Sequence, residues 1–162
     1  MDTVTPKPGS SMERVARDAE RLGLEIELRV MDQSTRTAED AAAACGCEVG
    51  QIVKSLVFEN ADTGALVLLL VSGNHNADLE HVSATYGLTL KRCDGRRVRD
   101  ETGFAIGGVA PVGHKAEIST YMDESLLGYD TVWAAAGRPD SVFRVDPKAL
   151  AEAIKPHVIA VR

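Results

Sequence analysis

The sequence predicts a mixed α/β fold of the α+β kind: a curled, barrel-like mixed β-sheet flanked by helices. Three observations lead there. Strand-like runs outnumber helical ones, and they do not alternate with helices as a doubly wound βαβ chain would. The 162 residues and 17.3 kDa allow about 69% of the chain's surface to be buried, which is ample for one domain and tight for two. The 44% hydrophobic and 26% charged fractions are those of a globular chain and exclude collagen-like, coiled-coil or disordered classes.

The elements follow in order. Residues 1–10, with two Pro, a Gly and several Ser/Thr, read as a loose tail, and residues 11–162 as a single domain. Ser10-x-x-Glu13 is a capping-box pattern, and Met12, Val15, Ala16, Ala19 and Leu22 recur at helical spacing until Gly23. LEIELRV alternates apolar and polar residues as a half-buried strand does. Thr37-x-x-Asp40 starts an Ala-rich helix that ends near Gly46. IVKSLVFE and ALVLLLVSG, joined by an Asn/Asp/Gly turn, read as a hairpin whose unbroken apolar second arm is a central strand covered on both faces. Residues 77–86 read as a helix stopped by Gly87, followed by a short strand to Arg92, the Asp94-Gly95 turn, and one or two helical turns over Arg96 to Thr102. TGFAIGGVAPVG is too dense in Gly and Pro for a regular element and reads as a long structured loop. AEIST, TVWAAAG and SVFRV read as strands, with Trp133 and Phe143 in the core. Asp146-Pro147 caps a helix through about Ile154, and HVIAV closes the chain as a strand.

No apolar run approaches the roughly 20 residues that span a bilayer, and the N-terminus carries no signal-peptide core, so the expectation is a soluble, cytoplasmic protein without a membrane partner. The charge, 18 − 24 = −6, with a sequence pI of 5.2, argues against wrapping duplex nucleic acid, where affinity comes from neutralised phosphates. It leaves room for a small basic patch gripping one nucleic-acid end. Cys45 and Cys47 are spaced C-x-C, and with Cys93 they lack the spacing and clustered His of a zinc site; no metal or cofactor is expected.

The common catalytic motifs are absent: no G-x-S-x-G elbow, no phosphate-binding G-x-x-x-x-G-K-[ST], no H-E-x-x-H. Two features remain. Lys54 stands among apolar strand residues, where its ammonium either snorkels to water or sits at a pocket floor holding an anion, since a buried cation needs a partner. The loop 103–113 exposes backbone N–H groups without Cβ shielding, which can cradle an oxyanion; alternatively its glycines serve only positive φ.

VKSLVF, LVLLLVSGN, TGFAIGGVAPVGHK, YMDESLL and WAAAGRPDSVFRVDPKAL, in this order and spacing, resemble the YbaK/ProX family of aminoacyl-tRNA deacylases, which also occurs as an editing module within bacterial prolyl-tRNA synthetases. The resemblance covers about residues 35–155. It implies a trans-editing hydrolase that removes a wrongly attached small amino acid, such as Ala or Cys on tRNA-Pro, with mischarged tRNA as partner and an aminoacyl-tRNA synthetase as a possible second one. Lys54 falls on the family's active-site lysine. Gly107-x-x-x-Pro111 falls on its G-x-x-x-P loop, which brings in Gly108 and Gly113, and Ala136-Gly137, followed by Arg138, falls on a turn at the pocket rim. The resemblance further implies hydrolysis by water, backbone groups and the substrate's own hydroxyl or thiol, with no general side-chain nucleophile.

Ser55 stands where relatives commonly carry Thr or Asn, beside the pocket, and His114 where some carry Gln. His114 is either a polar pocket residue or a surface-loop histidine; His75, His81 and His157 read as ordinary surface or core residues. KRCDGRRVRD packs Lys91, Arg92, Arg96, Arg97 and Arg99 into nine positions, either a solvated face or the site of acceptor-stem phosphate contacts. Two other functions stay open on the residues: a non-catalytic module of the same fold that holds an aminoacyl end or a protein, and a hydrolase of free small esters or thioesters.

Overall fold

The computed structural model describes residues 2–32 and 37–162. Helix starts follow the local code. In α1 (Ser11–Arg21) the Ser10 hydroxyl accepts from the Glu13 amide at 3.2 Å, and the Glu13 carboxylate accepts from the Gly9 amide at 3.0 Å, so two orphan donors are satisfied reciprocally, the second one residue earlier than in the standard box. Its buried stripe is Met12, Val15 and Ala19. Thr37 caps α2 (Ala38–Cys45), Asp78 caps α3 (Leu79–Tyr86), Asp94 caps α4 (Gly95–Thr102) and Asp146 caps α5 (Pro147–Ile154).

Two sheets carry the rest. One runs β1 (Asp2–Thr3), β2 (Glu27–Val30), β8 (Ser141–Val145), β7 (Val132–Ala135), all antiparallel. The other runs β5 (Leu90–Arg92), β3 (Val53–Asn60), β4 (Leu66–Ser72), β6 (Ser119–Asp123), β9 (His157–Ile159), with β4–β6 and β6–β9 parallel. The mixed sheet and the β3–β4 hairpin match expectation; the barrel does not. Among the described residues the backbones of the two sheets pair through a single parallel bridge, Ile52 to Trp133, and one bridge cannot supply the ladder that closure requires. Three further differences are local. Residues 2–3 of the expected tail pair with β2, Met1 lying outside the described residues. The strand expected at AEIST runs three residues later, because its parallel register on β4 sets Val67 opposite Ser119 and Leu70 opposite Met122. Arg96–Thr102 belongs to a full eight-residue helix, since Asp94 caps it rather than turning the chain.

Every residue of β4 is buried. One face, with Leu68 and Leu70, packs into the main core with Val15, Phe104, Ala110 and Phe143; the other, with Val67, Leu69 and Val71, packs on Val82 of α3 and on Ile159. Each such side chain contributes about 1.5–3 kcal/mol on leaving water. A third cluster, Met31, Ala41, Ala42, Ile52, Trp133 and Val142, lies where the two sheets meet.

Candidate functional site

That third cluster floors the cleft that concerns function. It is a cavity of about 320 Å³ whose walls come, besides Met31, from four separated segments: Thr37 with Ala38 and Ala41 of α2, Ile52 with Val53 to Leu56 of β3, Ile106, Gly107 and Val109 of the glycine loop, and Trp133 to Ala135 with Pro139, Ser141 and Val142. Lys54, Ser55 and Gly107, which the sequence singled out, meet here. Lys54 is half-buried, and its ammonium donates to the backbone carbonyl of His75. The Ser55 hydroxyl is buried without a partner among the described residues. Gly107 is exposed at the rim with φ +93°, and the amides of Gly107 and Val109 make no hydrogen bond among the described residues.

The other singled-out residues are not part of this wall. Gly108 is buried and its amide donates to the Ala105 carbonyl at 3.0 Å. It closes a turn, and a Cβ there would meet the Arg138 backbone at 2.9 Å; it is a contact between two loops rather than a free oxyanion donor. Pro111 is buried outside the cleft lining. The Gly113 amide is committed to the Asp18 carboxylate at 2.8 Å, and His114 borders a separate hollow with Arg14, Arg17, Asp18 and Arg21. Nε2 of His114 donates to the Ala110 carbonyl at 2.6 Å, its ring stands edge-on to Phe104, and burial holds its pKa below the ordinary histidine value. At the rim turn, Ala136 is buried and its amide is bonded to Ser141; Gly137 packs on Ser11, and Arg138 pairs with Asp140 at 2.9 Å. Their neighbours Ala135 and Pro139 form the wall instead.

The basic segment divides. Lys91 pairs with Glu59 at 2.7 Å, and Arg97 binds Glu59, Glu101 and the Gly64 carbonyl, so these two charges hold α4 and β5 to the hairpin. Arg92, Arg96 and Arg99 are exposed and without ion pairs among the described residues. Arg96 and Arg99 line a groove with Ile106, and Ile106, 63% exposed, also borders the cleft.

Sequence reasoning missed a polar cluster behind Lys54. Asp123, 1% exposed, accepts from the Ser72 amide at 3.0 Å, from His75 Nδ1 at 3.1 Å and from the Ser125 amide and hydroxyl at 2.9 and 2.8 Å. The only hint in the sequence was an acid ending the run YMD at a strand terminus. The cysteines are free thiols; burial first, then the neighbouring Cys47, pushes Cys45 up to about 11, which makes it unreactive at neutral pH. Among the described residues, no three His, Cys, Asp or Glu side chains converge to hold a metal ion, and no helix is long and apolar enough to cross a membrane.

Residues 32–153 match the aminoacyl-tRNA editing domain. The chain belongs to that family. The editing domain superposes on the crystal structure of a candidate trans-editing enzyme for prolyl-tRNA synthetase with a TM-score of 0.87 at 43% identity, covering 98% of this chain and 99% of that one. It is 30% identical over 117 residues to EbsC of Enterococcus faecalis, named as a candidate Cys-tRNA(Pro)/Cys-tRNA(Cys) deacylase, with 70% of each chain covered. It is also 35% identical over 81 residues to a proline–tRNA ligase of Thermosipho melanesiensis, covering 49% of this chain and 14% of that enzyme.

Proposed function

We propose that this editing domain is a trans-editing deacylase that hydrolyses the ester linking a wrongly attached small amino acid to tRNA, with alanine or cysteine on tRNA-Pro as its substrates, and that it works beside the synthetase that makes the error. The observation that carries the reading is the meeting of Lys54, Gly107 and Val109 in the wall of one cleft, with no hydrogen bond to the two loop amides among the described residues. An aminoacyl ester is already activated, so catalysis needs a positioned water and stabilisation of the developing oxyanion. Water adds to the ester carbonyl and the bond to the ribose oxygen breaks. The water's protons pass to that leaving oxygen and to solvent, leaving a free amino acid and an intact tRNA end. The loop amides take the oxyanion, and the Lys54 ammonium offsets negative charge on the carbonyl or the nearest phosphate. The apolar floor of Met31, Ile52 and Trp133 in a space of about 320 Å³ suits a small side chain. One methylene discriminates by only about 1–3 kcal/mol, which is why a second sieve is useful.

Of the basic residues, Arg96 and Arg99 support contact with the 3′ end, because Ile106 separates their groove from the cleft by a single side chain. Lys91 and Arg97 already pair with Glu59, so any phosphate contact there would compete with those ion pairs.

Release of amino acid from a panel of mischarged tRNAs tests the reading. Lys54→Ala is expected to lower kcat/KM on the best substrate by about 10²–10³, the usual loss for one oxyanion-stabilising donor. Wild type and Lys54→Ala equally inert across the panel would overturn it, and tight binding of a non-hydrolysable aminoacyl-adenosine without turnover would mark a binding module instead.

A further inference from the structure

Lys54 has four rotatable side-chain bonds and no acid among its partners. A flexible ammonium costs up to about 2 kcal/mol of rotamer entropy to hold in one place, so something must fix its acceptor. That acceptor, the His75 carbonyl, belongs to the turn after β4, and the turn is tied at several points. The His75 amide donates to Ser72 O at 2.9 Å and the Gly73 amide to Ile52 O at 2.7 Å. The Ser72 hydroxyl donates to Gly50 O at 2.6 Å, and a Cβ on Gly73 would meet Val49 O at 2.3 Å. Both ends of the turn then converge on one buried carboxylate, since Asp123 Oδ2 accepts from the Ser72 amide and from His75 Nδ1. The other oxygen, Oδ1, is saturated by Ser125. A hydrogen-bonded network gathered on a buried carboxylate rigidifies its surroundings.

We infer that His75 and Asp123 are positioning residues for Lys54: Asp123 anchors the His75 ring, the ring fixes the carbonyl of the same residue, and the carbonyl aims the ammonium at the cleft. The carboxylate can only accept, so Nδ1 carries the proton. Ser125 Oγ donates to the same carboxylate and lies 3.4 Å from Nδ1 of His75, the nitrogen that faces the acid, whereas in a Ser–His–Asp chain the serine would face Nε2. His75 is therefore an anchor through Nδ1 and not a base. This role rests on the deacylase reading for its catalytic consequence, but the clamp itself can be read without catalysis.

The discriminating substitutions follow from imidazole geometry. An Asn side chain places its amide nitrogen where His carries Nδ1, and a Gln places it where His carries Nε2. His75→Ala is expected to lower kcat for deacylation by about 10- to 100-fold with KM within twofold, as a roughly 1 Å misplacement of a catalytic group does. His75→Asn restores most of kcat and His75→Gln does not. In a Lys54→Ala background His75→Ala costs nothing further, because the group it positions is gone. Independently of activity, acylation of Lys54 by an amine-reactive ester, followed by mass spectrometry against exposed Lys148, accelerates several-fold in His75→Ala and not in His75→Asn. Equal losses from His75→Ala with and without Lys54, or unchanged Lys54 labelling in His75→Ala, would overturn the clamp. Full activity in Lys54→Ala, or no deacylation by wild type, would overturn the functional reading while the labelling still decides the clamp.

Discussion

The glycine loop is two regions in one run of sequence. Its first half, Ile106 to Val109, stands at the cleft with Gly107 exposed and the Gly107 and Val109 amides unbonded among the described residues. Its second half, Ala110 to His114, is locked onto α1: Asp18 takes the Gly113 amide, Arg14 donates to the carbonyls of Gly103 and Gly113 with its guanidinium 4.9 Å from the Phe104 ring, and His114 folds back on Ala110. The same residue type does opposite work in the two halves. Glycine at 107 leaves backbone open for a ligand, whereas glycine at 113 lets a helix backbone come close. The closed half is bolted to α1, and the open half adjoins it.

The largest expected effect comes from exchanging one methyl between the two halves. Gly113 has φ +86°, and its Cβ would lie 3.1–3.2 Å from backbone atoms of Arg14 and Val15, so Gly113→Ala combines backbone strain with overpacking and costs about 2–5 kcal/mol. Gly107 has φ +93° but meets nothing nearer than Pro139 Cγ at 4.0 Å, so Gly107→Ala carries strain alone, about 1–3 kcal/mol. Urea unfolding is expected to rank Gly113→Ala as the more damaged protein, and deacylation, measured where both remain folded, to rank Gly107→Ala as the more damaged enzyme. A common ranking in both assays would mean that the loop acts as one unit.

This division explains what could and could not be read from sequence. Helix α5 was legible because Asp146-Pro147 is a local code, and the β3–β4 hairpin because its turn and its apolar run are contiguous. Lys54 was legible as an anomaly, a cation among apolar strand residues. Gly107 and Gly113 were indistinguishable, because what separates them is Arg14 and Asp18, 99 and 95 residues away from Gly113. The cleft wall was partly hidden for the same reason: Ala41, Ile106 and Pro139 converge only after folding, and none carries a chemical signature. Lys91 and Arg97 could not be told from Arg96 and Arg99 in sequence, because their partner Glu59 lies on a neighbouring strand. The expected barrel failed on a similar point, since strand count does not reveal that the backbones of the two sheets pair only at the isolated bridge from Ile52 to Trp133 among the described residues.

Arg14 is the next test of the bolt. Arg14→Ala leaves the Gly103 and Gly113 carbonyls without their cationic donor and removes the guanidinium from Phe104, for a cost of about 1.5–3 kcal/mol. The urea midpoint should fall accordingly, while kcat at a temperature well below melting stays within about threefold of wild type, because Arg14 touches no part of the cleft. A loss of kcat as large as that of Gly107→Ala would show that the bolt is itself part of the site.

The smallest effect is a pH dependence confined to the closed half. Burial, the largest influence on His114, favours its neutral form; the hydrogen bond to Ala110 and the charge of Asp18 oppose this, and the charge of Arg14 adds to it. The net result is a folded-state pKa below the ordinary histidine value. The unfolded chain therefore binds the proton more readily than the folded one, and ∂ΔG/∂pH is positive between the two pKa values. Stability contributed by neutral His114 is present above the unfolded histidine range and is lost as pH falls through it toward the folded value. In urea titrations at pH 7.5 and 5.5, wild type should lose stability on acidification, and His114→Gln, whose amide nitrogen can still reach the Ala110 carbonyl, should lose less. Deacylation measured on folded protein should be indifferent to the substitution, since His114 borders the hollow beside α1 and not the cleft. An activity profile that shifts with His114→Gln would join the two halves of the loop again and return this histidine to the substrate pocket.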